Sequence, residues 1–219
     1  MDIVKLEYDA KANQMRKYVE DIHSIILSCV VPLEGNCFYH HNTLSLYPEL
    51  YSKQVNLVWC GKHAKTHICE IGFNAGHSTM LMLLGRDATP LDFTIFDIGH
   101  HAYTRPCLEY IKKEFGHVKF EYIEGDSTQT MKSWISAHPD SVGIYDVVHV
   151  DGGHSEHCIR NDMINADKLV RAGGIIIVDD TNSETINKYV NLYIQIGNYQ
   201  EVQLLPSVGY PHRVICKIN

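Results

Sequence analysis

One pattern, repeated from residue 67 to residue 179, limits what this chain can fold into: a short apolar run, a turn, a segment with apolar residues at helical spacing, then the next run. The runs are 67–71, 93–97, 118–123, 146–150 and 175–179, and helical segments 78–84, 103–115, 128–137 and 156–172 lie between them. Strands apolar on both faces need cover on both faces. A helix after each strand supplies that cover and returns the chain to start the next strand in the same direction. The pattern therefore predicts an α/β fold, a doubly wound, mostly parallel sheet. In the segment 156–172, Ile159, Met163, Ala166 and Val170 share one face and Gly173 is placed to end the helix. Ser183 is placed to cap a last helix, with Ile186, Val190, Tyr193 and Ile194 as its apolar stripe and Gly197 as its stop. Segments 199–205 and 213–218, joined around Pro206, Gly209 and Pro211, read as a terminal antiparallel hairpin that brings the sheet to seven strands.

Residues 1–60 have a different rhythm. Tyr18, Ile22, Ile25, Ile26 and Cys29 form the stripe of an amphipathic helix over 11–29, and a second helical stretch covers 48–60. Between them the pattern breaks around Pro32 and Gly35, near His40 and His41. The expected organisation is a helical appendage or lid over 1–60 and a main domain over 61–219. Composition narrows the partners. No stretch approaches the ~20 apolar residues of a membrane span, and the amino terminus has no apolar signal region. The formal charge is −7 and no basic run is longer than Lys112 and Lys113, so the footprint of a nucleic-acid binder is missing. Seven scattered cysteines, none spaced C-x-x-C, read as reduced thiols. A soluble cytoplasmic protein follows, with no nucleic-acid or membrane partner. Self-association into a homo-oligomer is left open.

The first run ends Cys69-Glu70-Ile71-Gly72-Phe73-Asn74-Ala75-Gly76-His77-Ser78, and a helix starts there. Gly72 allows a tight turn, Gly76 allows close approach of a ligand, and the helix start at His77 and Ser78 offers free backbone N–H groups. Asn74 stands where a dinucleotide fingerprint needs its second glycine, so a pyrophosphate has no seat. Taken alone, the loop serves equally as a strand-to-helix connection. Two further strand ends converge on the same edge: Asp97, ~20 residues beyond the loop, where a ribose acceptor is placed in doubly wound folds, and Asp126-Ser127 after the third run. With E-x-G-x-x-x-G in place, the sequence resembles the class I S-adenosylmethionine-dependent methyltransferases, a Rossmann-like seven-stranded fold whose reversed last strand lies between the fifth and sixth. The resemblance covers roughly residues 65–219. It implies that S-adenosylmethionine is bound by Glu70, Gly72, Asn74, Gly76, His77, Ser78, Asp97, Asp126, Ser127 and Asp151, with an acidic residue after the third strand meeting the adenine amino group.

The fourth and fifth runs end in Val150-Asp151-Gly152-Gly153-His154 and Val178-Asp179-Asp180-Thr181-Asn182. Gathering Asp151, Asp179 and Asp180 is costly unless protons or a cation offset them, and oxygen donors select a hard divalent ion: Mg²⁺ first, with Ca²⁺ or Mn²⁺ also open. Helix capping by Asp180 and turn stabilisation by Asp151 remain the alternative use of these groups. The pattern resembles the Mg²⁺-dependent branch of the family that methylates sugar hydroxyls in macrolide and glycan pathways. There an acidic triad holds the metal and a histidine three residues after the first ligand is the base. The matching residues are Asp151, Asp179 and Asp180 as ligands, with His154 and Asp151 catalytic. The branch often carries Glu where this chain has Asp179, an arm one methylene shorter here. In the Asp, Asp, Asn set of catechol-type enzymes, Asn182 would lie one residue too far.

A sugar hydroxyl is a poor nucleophile at neutral pH. A divalent ion lowers its pKa, and a nearby imidazole takes the proton. The resemblance thus implies a metal-dependent O-methyltransferase acting on a hydroxyl of a sugar or glycan. A catechol-like small-molecule diol is the alternative acceptor, and a cofactor-binding module without turnover is the alternative outside catalysis. Fourteen histidines are many for this length. His100 and His101 follow Asp97 and belong at the pocket rim, with Tyr103 and Arg105 beyond them.

Overall fold

In the computed structural model, which describes residues 2–40, 46–207 and 210–218, each of the five apolar runs is a strand of one sheet. Three helical pieces come first, α1 (Asp2–Ala10), α2 (Ala12–Ser28) and α3 (Tyr51–His63). Alternation follows: β1 (His67–Ile71), α4 (His77–Leu84), β2 (Leu91–Asp97), α5 (Thr104–Glu114), β3 (Val118–Glu124), α6 (Ser127–Ala137), β4 (Tyr145–Val150), α7 (Glu156–Leu169) and β5 (Val170–Val178). The chain closes with α8 (Glu184–Gln195), β6 (Tyr199–Glu201) and β7 (Arg213–Lys217). Strand order is β3-β2-β1-β4-β5-β7-β6, with β1 to β5 parallel and β7 antiparallel to both neighbours. The doubly wound expectation holds, including the reversed strand between fifth and sixth. Succession changes direction between β1 and β4, which opens a crevice at their carboxyl ends.

Strand residues divide by parity between two apolar layers. Ile68, Phe93, Ile95, Val147 and Ile175 pack with the α1–α5 side, while Cys69, Phe96, Val148, Ile176 and Val178 pack with α6, α7 and α8. Helix α3 is buried almost all round, so its stripe is weak. It packs so closely on α4 that a Cβ at Gly61 would fall 1.8 Å from the Met82 carbonyl oxygen. Its buried amides are satisfied across the fold: Gln54 donates to the Cys37 carbonyl at 2.6 Å, and Asn56 donates to the Leu205 carbonyl at 2.8 Å. The helices of 1–60 thus share one core with α4 and α5. No helix among the described residues is long and apolar enough to cross a membrane.

Two local expectations change. Helix α1 precedes the helix read over 11–29. Helix α7 stops at Leu169, and β5 begins at once, so Gly173 (φ +71°) lies inside a strand, not after a helix. Its left-handed backbone accompanies the register shift of β5 against β4 between Tyr145 and Val147.

The start of β4 is anchored by Asp146. One carboxylate oxygen accepts the N–H groups of Lys65, Thr66 and His67 at 2.8, 2.7 and 3.1 Å, and the other accepts from Arg171 Nε at 2.7 Å. Burial opposes its charge, but these donors outweigh burial and hold its carboxyl at about 2. Because the folded value lies below the unfolded ~3.9, its contribution is complete above that pH and is lost as pH falls through about 2. Asp146→Ala orphans these donors and is expected to cost ~3–5 kcal/mol in urea unfolding at pH 7; a loss under 1 kcal/mol would contradict this anchoring role.

Candidate active site

The carboxyl ends of β1, β2, β3, β4 and β5 surround three adjoining cavities of ≈ 370, 270 and 390 Å³, all lined in part by Asp151. Their walls begin with the glycine loop. Gly72 takes φ +89°, and a Cβ there would fall 1.9 Å from the Asp151 carbonyl oxygen, so only glycine lets the loops after β1 and β4 touch. Asn74 also adopts a left-handed backbone, φ +54°, and lines two of the cavities. Gly76 is the N-cap of α4, whose next residues His77 and Ser78 line the 270 Å³ cavity. Asp97 fixes the loop: its Oδ2 accepts the N–H of Phe73 at 2.8 Å and of Asn74 at 2.9 Å, and its Oδ1 that of Gly99 at 2.7 Å.

The 370 Å³ cavity lies between β1, β2 and β3. Asp97, Asp126 and Ser127 line it, as do His100 and His101. Ile98, 59% exposed although apolar, faces the same space with Phe96. Asp126 is also the N-cap of α6, accepting the Thr128 N–H at 2.9 Å, so capping and pocket lining are one placement. Ser127 Oγ donates to Asp162 Oδ1 at 2.8 Å. Tyr103 and Arg105 are engaged elsewhere, Tyr103 accepting the Glu34 N–H at 3.3 Å and Arg105 pairing with Glu124. His40 is exposed beside Tyr47, and His41 lies outside the described residues.

Glu70 departs from expectation. It is fully buried and lines none of these cavities; Ser78 Oγ donates to it at 2.5 Å, Thr79 Oγ1 donates to its other oxygen, and His149 Nδ1 donates at 2.9 Å. Its carboxylate ties α4 and β4 to β1 beneath the loop. Gly76 likewise shapes the loop from below, since Phe73 and Ile111 fill the space where its Cβ would lie.

On the β4 and β5 side the three expected metal ligands fall into two overlapping groups that share Asp151, which lies within 4.8 Å of His149 and Asp179 on one side and of His154 and Asp180 on the other. Asp151, His154 and Asp180 each bring a ligand atom within 4.8 Å of the others, with His154 Nε2 at 2.9 Å from Asp180 Oδ2. Asp180 has φ +52°, a left-handed conformation costing of order 1–3 kcal/mol in a residue with a side chain. Asp179 is buried. Its Oδ1 accepts the Asp180 N–H at 2.9 Å, and its Oδ2 ion-pairs with Lys53 of α3. Burial disfavours the Asp179 anion, yet Lys53 and then His149 outweigh it and hold that carboxyl below its ordinary value. Burial raises Asp151 well above its ordinary value, with Asp179 reinforcing the shift against His149 and Lys53. The hydrogen bond to Asp180 raises His154. Two carboxylates, one of them resisting ionisation, are an oxygen donor set that suits a hard divalent cation such as Mg²⁺ or Mn²⁺, and the His154 imidazole stands beside them.

A family model described as a methyltransferase domain matches residues 69–181, just over half of the chain and all of the crevice-forming strand ends. The chain belongs to the class I methyltransferase family. No curated protein sequence matches it significantly. Solved methyltransferases share its fold at low identity. An O-methyltransferase from Bacillus cereus in complex with SAH is 17% identical, with 93% of this chain and 91% of that one covered and a TM-score of 0.61. A methyltransferase from Geobacter sulfurreducens is 8% identical, with 93% and 90% covered and a TM-score of 0.61. A candidate caffeoyl-CoA O-methyltransferase from Staphylococcus aureus is 15% identical over 100% of both chains, with a TM-score of 0.56.

Lys53, Ile98 and His149 entered this methyltransferase's site without a sequence signal strong enough to name them. The one hint for Ile98 was an apolar residue directly after a strand-end carboxylate, where a polar turn residue is the ordinary expectation. For the scaffold role of Glu70, Glu70→Gln is expected to cost ~1–3 kcal/mol of stability, because Gln returns a donor to a site built of donors. Thermal unfolding and cofactor calorimetry check it; an unchanged melting temperature with weakened S-adenosylmethionine binding would assign Glu70 to the cofactor instead.

Proposed function

We propose that the chain is an S-adenosylmethionine-dependent O-methyltransferase that methylates a hydroxyl of a sugar or glycan with the help of a divalent cation. The observation that carries the acceptor class is the lining of the 390 Å³ cavity. Asn36, Lys53, Asn182 and Ser183 face it beside Asp151, His154, Asp179 and Asp180, and among the described residues Tyr210 is the one phenyl-type ring in its lining. A polyhydroxyl ring finds donors and acceptors on all sides there, whereas a flat aromatic diol would desolvate them without return.

The cofactor suits the other two cavities. A flat heterocycle fits the slot at Ile98 and Phe96, Asp97 retains lone pairs for ribose hydroxyls, and the first turn of α4 presents N–H groups without intrahelical acceptors. When bound, S-adenosylmethionine supplies a methyl group on a cationic sulfur, open to in-line displacement. When bound, the divalent ion, held by Asp151 and Asp180, supplies positive charge that acidifies a coordinated hydroxyl. His154 does the proton work. Asp180 holds Nε2 in its N–H form and leaves Nδ1 to accept the acceptor's proton, and the same carboxylate stabilises the imidazolium formed. Asp151 lines all three cavities, so the acceptor oxygen and the cofactor approach each other beside it.

Calorimetry with S-adenosylmethionine tests the foundation, and transfer to glycosides against catechols tests the acceptor. Binding and Mn²⁺- or Mg²⁺-stimulated transfer to a glycoside are expected, while transfer to catechols alone would replace the sugar. His154→Ala is expected to lower kcat by about 10²-fold or more. In the wild type the rate rises with pH through a value above 6.5, since the neutral imidazole is the base and Asp180 raises its pKa. Asp180→Asn should move that limb downward; a limb unaltered in both variants removes His154 from the proton step. Because burial raises the Asp151 carboxyl and a ligating carboxylate must give up its proton, Mn²⁺ affinity should rise with pH. A pH-independent affinity would contradict that.

A further inference from the structure

Lys53 stands near the start of α3, in the part of the chain before the methyltransferase match, yet its ammonium lies in the crevice. Its side chain is 4% exposed and that of Asp179 2%. Burial opposes the charge of Lys53, and the Asp179 carboxylate beside it favours that charge strongly enough to keep it protonated. The groups gathered around this pair are Asp151, His149, His212 and Cys37. With Asp180 N–H on one oxygen and Lys53 on the other, both Asp179 oxygens are engaged. The left-handed backbone of Asp180 accompanies a divergence of the two consecutive carboxylates, one to the lysine and one to His154.

We infer that Lys53 is a positioning residue, the resident cation of this carboxylate cluster, which neutralises Asp179 and keeps it out of the divalent-ion ligand set. The inference deepens the metal part of the proposed function and rests on it. Its physical content is charge matching. Three carboxylates would present three negative charges to a divalent ion; one covalently delivered ammonium cancels one of them, and Asp151 and Asp180 then balance the ion. The lysine also commits α3 to the crevice, so the helix that closes the core sets the ligand count of the site.

Mn²⁺ binding to the full chain at pH 8, followed by the loss of free-ion electron paramagnetic resonance signal, tests this without reference to turnover. Lys53→Met is expected to bind Mn²⁺ at least about 10-fold tighter than the wild type, because an uncancelled Asp179 adds both charge and a ligand. The double variant Lys53→Met/Asp179→Asn leaves no buried charge unpaired and carries the test where the single variant fails to fold; its affinity should stay within about 3-fold of the wild type. A double variant weakened more than about 10-fold would make Asp179 a ligand and overturn the inference, as would a folded Lys53→Met with unchanged or weaker binding. Binding by Lys53→Met alone would end the wild-type metal reading while sustaining the role of Lys53. Binding by no variant would end both.

Discussion

The buried ion pairs beneath the crevice are the constraint on which the rest of this molecule depends. Glu70, His149, Asp179 and Lys53 are each almost without solvent, and Asp151 stands above them, half-buried. An isolated charge in such a place costs several kcal/mol, so each group is tolerable only because its partner is there. Glu70 meets His149, and Asp179 meets Lys53. Those two contacts join β1 to β4 and β5 to α3, elements far apart in sequence. Folding α3 away would leave Asp179 buried without its counter-ion, which makes the amino-terminal helices part of the site's electrostatics as well as of the core.

The same pairs explain why the crevice surface is set so closely. Glu70 holds Ser78 and Thr79 from below while Asp97 holds Phe73 and Asn74 from the side, so the glycine loop is pinned at both ends by carboxylates that take backbone or hydroxyl donors. With the loop fixed, the absence of a side chain at Gly72 sets the distance between the loops after β1 and β4. Acidic residues at strand ends therefore divide their labour. Some spend their oxygens on the scaffold, and others keep them for whatever enters.

Much of this was legible in the sequence. Each apolar run from 67 to 179 appears as a strand, because short apolar runs alternating with helix-period segments leave little room for another reading, and the turn after each delivers a polar residue to one edge of the sheet. Asp97, Asp126, Asp151 and Asp180 were placed at the crevice by that logic, and His154 by the family resemblance. Orientation was not legible. Glu70 sits one residue before the end of β1, and strand parity directs its side chain to the layer below α4; position along a strand gives the edge, but the partner across the sheet decides which way a carboxylate spends its charge. Gly173 was misplaced for a related reason, since a left-handed glycine ends helices and kinks strands alike.

Lys53 is the instructive omission. Its own segment carries no periodic signal, because a helix buried on every side has no polar face to contrast with an apolar one, and lysine in such a helix reads as solvent-facing until a carboxylate is found opposite it. The counter-ion lies well over a hundred residues away, at the end of β5. Local sequence could show that Asp151, Asp179 and Asp180 needed positive charge. It could not show that part of that charge was already built into the chain, and this is why a count of acidic residues overstates the ligands such a crevice offers: the number open to an incoming cation is what remains after the fold has satisfied its own buried charges.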